Sequence, residues 1–275
     1  MRAVVHTDGV APDDTYTHGH HASVLRSHTW RTIENSAAYL LPHLSAGLDV
    51  LDVGCGPGTI TVDLARRVAP GTVIGIDRSD DVVEVARRQA HGVDGVLFEA
   101  GDVYRLAHPD ASFDVVHAHQ VLQHLSDPVA ALREMRRVCR PGGVVAARDA
   151  DYASFAWAPL DARLDYWLAT YRAVARANRG EPDAARHLLG WARAAGFRSV
   201  DASASVWCFS TPDERAWWGG TWADRMRDSS VADQAVRGGH CTRADLDAMA
   251  EAFTEWAADP DGWFAILHGE VLARG

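Results

Sequence analysis

Val50-Leu51-Asp52-Val53-Gly54-Cys55-Gly56-Pro57-Gly58 decides the reading, because an apolar run of strand type ends there in alternating glycines and a helical pattern opens at Thr59. Glycines allow positive φ and close approach, and the first turn of the following helix offers free N–H groups to polar ligand atoms. Such a turn lets a ligand touch bare backbone. Outward from it, residues 48–149 alternate short β-branched runs with amphipathic stretches, the mark of βαβ units and a parallel sheet. Strands are expected at 48–53, 72–77, 95–99, 113–118 and 143–148, and helices at 60–68, 80–90 and 128–140. Ser126-Asp127-Pro128 starts the last helix, and Pro141-Gly142-Gly143 breaks it.

Beyond residue 150 the rhythm changes. Leu160, Leu164, Trp167, Tyr171 and Val174 follow helical steps, and 182–195 reads as another helix ended by Gly196. Strands follow at 200–209 and 263–272, with a largely helical stretch at 212–258 between them. The expected organisation is a single domain, 1–275. Residues 1–45 form an N-terminal helical arm, 46–150 the core, 151–182 and 211–260 helical lid insertions, and 183–210 and 261–275 the segments completing the sheet.

A length of 275 residues with 47% hydrophobic content supports one sizeable core. Thirty-seven acidic residues against 27 basic ones give a net charge of −10, which repels a phosphate backbone and argues against nucleic acid as a partner. Cys55, Cys139, Cys208 and Cys241 have neither zinc-ligand nor disulfide-framework spacing. No apolar run reaches signal-peptide or membrane-span length. A cytoplasmic protein without membrane attachment, monomeric or homodimeric, is expected.

A dinucleotide fingerprint would read G-x-G-x-x-G, but its third glycine is here Thr59. The observed G-x-G-x-G with Asp52 ahead of it is poor for a pyrophosphate and apt for a cationic amino acid joined to adenosine. Asp77, in Gly75-Ile76-Asp77-Arg78-Ser79, ends the second strand, where a carboxylate can accept from both hydroxyls of a ribose. Glu99-Ala100-Gly101-Asp102-Val103 follows the third strand, and Phe113-Asp114-Val115-Val116-His117-Ala118-His119-Gln120 forms the fourth. These features recur about 25 residues apart.

As a set they resemble the motifs of class I S-adenosylmethionine-dependent methyltransferases, in the branch similar to the ubiquinone/menaquinone-biosynthesis enzymes. The resemblance covers 48–149 well and the rest loosely. It implies a Rossmann-like α/β fold, a mostly parallel seven-stranded sheet with helices on both faces and a helical lid from insertions. It implies S-adenosylmethionine as cofactor and S-adenosylhomocysteine as product. Gly54, Gly56, Gly58 and Thr59 would meet the methionine part. Asp77 and Arg78 would lie at the ribose, and Gly101, Asp102 and Val103 at the adenine. His119 and Gln120 would lie beside the cofactor. Asp52 either touches the methionine amino group or shapes the loop from behind.

The implied reaction is methyl transfer to a small-molecule acceptor at O or N, or at C. Such a reaction needs alignment and water exclusion more than a nucleophile. His124 is the candidate base and Asp149 its orienting partner, although a helix-packing role suits His124 equally. The histidine-rich stretch 16–28 lacks a completing acid or thiol, so no metal is assigned; an arm bringing Tyr16 and His21 over the cofactor competes with an ordinary helix surface. Nine of ten tryptophans lie beyond residue 150, where they either line an acceptor site for an aromatic or isoprenoid-like substrate or pack helices. Two alternatives stay open. One is a cofactor-binding protein with non-methylating chemistry or a regulatory role; the other, a macromolecule methyltransferase, is disfavoured by the missing basic groove.

Overall fold

Strand β1 (Val50–Val53) is buried along its whole length, as an apolar run flanked by strands on both sides must be. In the computed structural model, which describes Asp14 and residues 30–275, β1 pairs in parallel with β2 (Val73–Asp77) and on its other edge with β4 (Phe113–His119). Parallel β3 (Val96–Ala100) lies outside β2, and parallel β5 (Cys139–Ala150) outside β4. Beyond β5 the direction reverses. The strand β8 (Trp263–Arg274) runs antiparallel to β5, and β7 (Ser199–Phe209) antiparallel to β8.

Among the described residues the sheet has eight strands, in the order β3-β2-β1-β4-β5-β8-β6 with β7 on β8, where seven are expected. The added strand is β6 (Ala156–Ala158). Ala150 of β5 faces His268, and Ala156 of β6 faces Ala265, so β6 covers the stretch of the β8 edge that β5 leaves open. The order of strands turns between β1 and β4, and the carboxyl ends of both strands open onto one crevice.

The connecting helices follow their local signals. Helix α2 (Thr59–Val68) turns Ile60, Leu64 and Val68 inward. Ser79 caps α3 (Asp80–Gln89) by accepting from the Val82 N–H, and Asp127 caps α4 (Pro128–Val138) by accepting from Ala130, with Pro128 in the first turn. The expected extension of this helix to residue 140 is lost because Cys139 already pairs with Phe113 in the sheet. Before it, a short helix α1 (Ile33–Ser36) and a 3-10 turn, Ala38–His43, pack Ile33, Leu40 and Leu44 against Leu64 and Val68. The remainder of the expected arm, with Tyr16, His21 and the histidine stretch 16–28, lies outside the described residues.

Helix α5 (Ala162–Ala177) follows β6, and the expected helix at 182–195 divides into a 3-10 turn, Ala184–His187, and α6 (Leu188–Ala194). Asp183 ahead of that turn is held by the Ala153 N–H and by Arg172 and Arg176, which fixes the chain outside α-helical geometry. The stretch after β7 forms α7 (Pro212–Arg227), α8 (Ser230–Arg237) and α9 (Arg243–Ala258). Trp167 of α5 stands edge-on to Trp222 of α7 at 4.5 Å and to Phe253 of α9 at 4.9 Å. This aromatic core is distinct from the aliphatic one around Leu51, Val116, Leu132 and Val145 under the sheet. No helix among the described residues is long and apolar enough to cross a membrane.

Candidate active site

The glycine turn is built by steric necessity. Gly54 has φ +67°, and a Cβ there would stand 2.4 Å from the Val121 methyl; Gly58 has φ +87°, with the Phe98 ring 2.8 Å from the same added atom. Only a bare backbone fits. Gly56 donates its N–H to Asp77 Oδ2 at 3.1 Å, and Ser79 donates to Asp77 Oδ1 at 3.1 Å, so the end of β2 clamps the turn after β1. The loop after β3 joins this arrangement through the Gly101 N–H, which reaches the Asp77 carbonyl at 2.9 Å.

Asp52 is 3% exposed and held from below: Thr61 donates to Oδ2 at 2.6 Å, and His117 Nδ1 lies 2.8 Å from Oδ1. It nevertheless lines the cavity that opens above the strand ends. That cavity measures about 480 Å³, a size ordinary for a small-molecule site. Its wall gathers Asp52, Gly54, Gly56, Thr59, Asp77, Arg78, Gly101, Asp102, Val103, His119, Gln120 and His124. Gly58 lies off the wall and shapes the turn as the residue before α2, while Asp149 is fully buried beneath it.

The pairing of His124 with Asp149 is not formed. Asp149 Oδ1 accepts the backbone N–H of Gln123 at 3.1 Å, and His124 Nε2 lies 3.1 Å from the Gln123 side-chain amide, so among the described residues the link between the two runs through Gln123. The reason is position: Asp149 sits inside the sheet end and braces the turn that carries His124. Burial raises the Asp149 carboxyl to about 7, and burial followed by the nearby Arg31 charge lowers His124 to about 3. A neutral His124 is a weak base.

At the end of β4 the polar groups interlock. Gln120, at φ +54°, takes a 2.6 Å hydrogen bond from Arg31 on Oε1, and its Nε2 lies 2.8 Å from His268 Nε2. The amide must therefore donate, which assigns the His268 proton to Nδ1, 3.2 Å from the Ile266 carbonyl. His119 is 5% exposed, and neither of its ring nitrogens has a hydrogen-bond partner among the described residues. Burial, then Arg31 and Arg148, pushes it well below the usual imidazole value, so the ring is neutral.

Some wall residues carry no sequence signal. Asp14 receives hydrogen bonds from Tyr104 Oη at 2.7 Å, the Ser126 N–H at 3.0 Å and Arg78 at 2.8 Å, tying the loops after β2, β3 and β4 together. Burial, followed by the bond to Asp14, pushes the Tyr104 hydroxyl up to about 12. Arg31 and Arg225 also reach the wall. The tryptophans divide: Trp207, Trp217, Trp218 and Trp222 line the cavity, whereas Trp157, Trp167 and Trp256 pack in the helical core. No group of three or more metal-ligating side chains occurs among the described residues.

Comparison with known proteins agrees with this architecture. Residues 44–196 match the family model described as a methyltransferase domain. An uncharacterized methyltransferase of Schizosaccharomyces pombe is 34% identical across 94% of this chain and 96% of its own. Among solved structures, the YcgJ protein of Bacillus subtilis superposes with a TM-score of 0.58 at 21% identity, covering 88% of this chain and 98% of that one. The [4+2]-cyclase SpnF superposes at 0.52 with 25% identity, over 91% of this chain and 79% of its own. With the glycine turn, the clamping carboxylate of Asp77 and the sheet order in place, the full-length match and the domain match together make this chain a member of the S-adenosylmethionine-dependent methyltransferase family.

Proposed function

We propose that the cavity binds S-adenosylmethionine and directs its methyl group to a small-molecule acceptor in the cytoplasm, at oxygen or nitrogen or at carbon. The observation that carries this reading is convergence: the backbone bend at 54–58 and the carboxylates of Asp52, Asp77 and Asp102 share one cavity wall. In this reading Asp77 accepts from the ribose hydroxyls while keeping its bond to Gly56, and Asp102, with the Val103 N–H, receives the adenine. Asp52, backed by Thr61 and His117, faces the amino acid end. Tyr16 and His21 would close the same end from the arm. Helices α5 and α7–α9 act as the lid.

A bound S-adenosylmethionine supplies an already activated methyl group, so the protein aligns the acceptor and excludes water. The packed aromatic wall serves the second task. Neither His124 nor His119 is poised to take a proton near neutrality; Gln120, fixed by Arg31 and His268, and His119 instead set hydrogen-bonding geometry at the methyl.

The test is calorimetric titration with S-adenosylmethionine and S-adenosylhomocysteine, followed by a screen of acceptors for S-adenosylhomocysteine release. Binding of both, with release on some acceptors, is expected; absence of binding removes the proposal. A second reading is motivated by SpnF, which is named for a cyclisation: the same cofactor site would serve non-methylating chemistry. Binding without any release across the screen would favour it.

A further inference from the structure

The cavity wall changes character across β4. Strands β1, β2 and β3 lie to one side, and they and their loops supply Asp52, Asp77 and Asp102, an acidic half. Strands β5, β8 and β7 lie to the other, and from this side come Tyr152, Phe155, Trp207, Trp217, Trp218 and Trp222, an aromatic half. A second cavity of about 290 Å³ adjoins the aromatic half, and its wall includes Asn35, Arg148, Ser205, Cys208 and Glu270. Among the described residues Trp207 alone lines both cavities, so its indole is the partition between them.

The partition is firmly held. Trp207 is 7% exposed, and its indole N–H donates to the Asn35 carbonyl at 2.5 Å. Trp30 stands edge-on to the ring at 5.1 Å, the His268 ring lies at 4.3 Å, and the Arg148 guanidinium lies 4.9 Å from the ring centre. A ring bonded at one edge and packed on several sides keeps one rotamer, so it meets a ligand as a fixed wall. The spaces that it separates differ in chemistry. On the side of His119, 5.6 Å away, the wall is aromatic. On the other side Arg148 pairs with Glu270 at 3.3 Å, and Ser203 and Ser205 donate to the same carboxylate at 2.7 and 2.5 Å.

Resting on the methyl-transfer reading, we propose that Trp207 is a specificity-determining residue: its indole ends the acceptor's part of the cavity and restricts acceptors to molecules that fit wholly on the His119 side of the ring. The restriction is one of length. A molecule whose chain continues past the ring overlaps the indole, and a close-packed wall does not yield to it. Shortening the side chain at this position joins the two spaces. A chain that enters the second one meets hydroxyls and an ion pair in place of rings, so the ligands gained carry polar extensions.

The experiment loads the protein with S-adenosylhomocysteine and titrates 2-(benzyloxy)ethanol and triethylene glycol monobenzyl ether, which share a ring and a terminal hydroxyl and differ in chain length, by ligand-detected NMR. The readout is the ratio of the affinities for the long and the short ether. Trp207→Ala should raise this ratio at least about tenfold over the wild type, and Trp207→Leu about threefold. Trp207→Phe keeps a ring in the partition and should hold the ratio within about twofold of the wild type. Binding of S-adenosylhomocysteine by each variant shows that it is folded, and Trp207→Leu decides the matter if the alanine variant does not fold. A merely loosened structure would weaken both ethers alike. An unchanged ratio in the folded variants therefore overturns the partition and leaves methyl transfer standing. Failure of the wild type to bind S-adenosylhomocysteine overturns the methyl-transfer reading and this inference with it.

Discussion

The two halves of the cavity are made in different ways. The acidic half consists of backbone turns, each within a few residues of the strand that presents it: Gly54–Gly58 after β1, Asp77 at the end of β2, Asp102 after β3. The aromatic half consists of side chains brought together from far apart in sequence, as when Phe155 meets Phe264 at 5.9 Å, Trp207 meets His268 at 4.3 Å and Trp218 meets Phe264 at 5.5 Å. A site made of turns tolerates few substitutions and is recognisable from its sequence. A site made of packed rings can be resurfaced while the helices beneath it stay in place. The first half is thus fixed by backbone geometry, and the second can change shape through its side chains.

The difference is most severely tested by Trp167→Ala. This ring is fully buried between Trp222 and Phe253, so its loss should cost about 4 kcal/mol in urea unfolding. Cofactor affinity, measured at low temperature where the variant remains folded, should change little. Equal loss of cofactor binding would mean that the halves are not separable.

Gly54→Ala attacks the other side. The added methyl meets Val121 at 2.4 Å in a left-handed backbone, for an expected cost of about 3 kcal/mol and a cofactor affinity reduced more than tenfold. Adding Val121→Ala should recover part of the stability, the steric share, and leave the φ strain.

Asp149 separates structural support from chemistry through pH. Its carboxyl is raised by burial to about 7, so the folded chain holds a proton that the unfolded chain has released above about 4, and this group's stabilising contribution disappears as pH rises between those values. His119, His124 and His268 act oppositely: their depressed values mean that stability is lost as pH falls below about 6.5. Asp149→Asn preserves the oxygen facing Gln123 and removes the titration. Relative to the wild type, its stability should therefore rise by on the order of 2 kcal/mol between pH 5 and pH 7.5, read from urea midpoints.

The smallest effect sharpens the role of the clamp. Asp77→Asn keeps one oxygen to accept from Gly56, turns an amide NH2 toward the Ser79 N–H and loses the charge, which should weaken S-adenosylhomocysteine about tenfold and lower stability by about 1 kcal/mol.

The sequence carries the acidic half plainly because each of its groups is tied to strand-end grammar: a glycine turn, then carboxylates one strand later and two strands later. The same grammar places β1 to β5 within a few residues. It fails where contact replaces order. Asp14 reaches Tyr104 and Ser126 across 90 and 112 positions, and nothing near it in the chain announces this. His124 stands a short turn past β4 and Asp149 at the end of β5, as expected, yet each bonds to Gln123 and not to the other, because a strand end fixes where a residue lies and packing fixes its partners. The tryptophans are visible in the sequence as a cluster, but which of them line the cavity (Trp207, Trp217, Trp218 and Trp222) and which pack in the helical core (Trp157, Trp167 and Trp256) follows from tertiary packing. The small strand β6 escapes the alternation pattern because three residues are too few to display it.

The most direct test of the account is a crystal structure with S-adenosylhomocysteine. It should show the ribose hydroxyls on Asp77, the homocysteine over the turn from Gly54 to Gly58, and the sulfur turned toward His119 at the seam between the acidic and aromatic halves. A ligand whose ribose lies away from Asp77, or whose sulfur faces away from the aromatic wall, would contradict it.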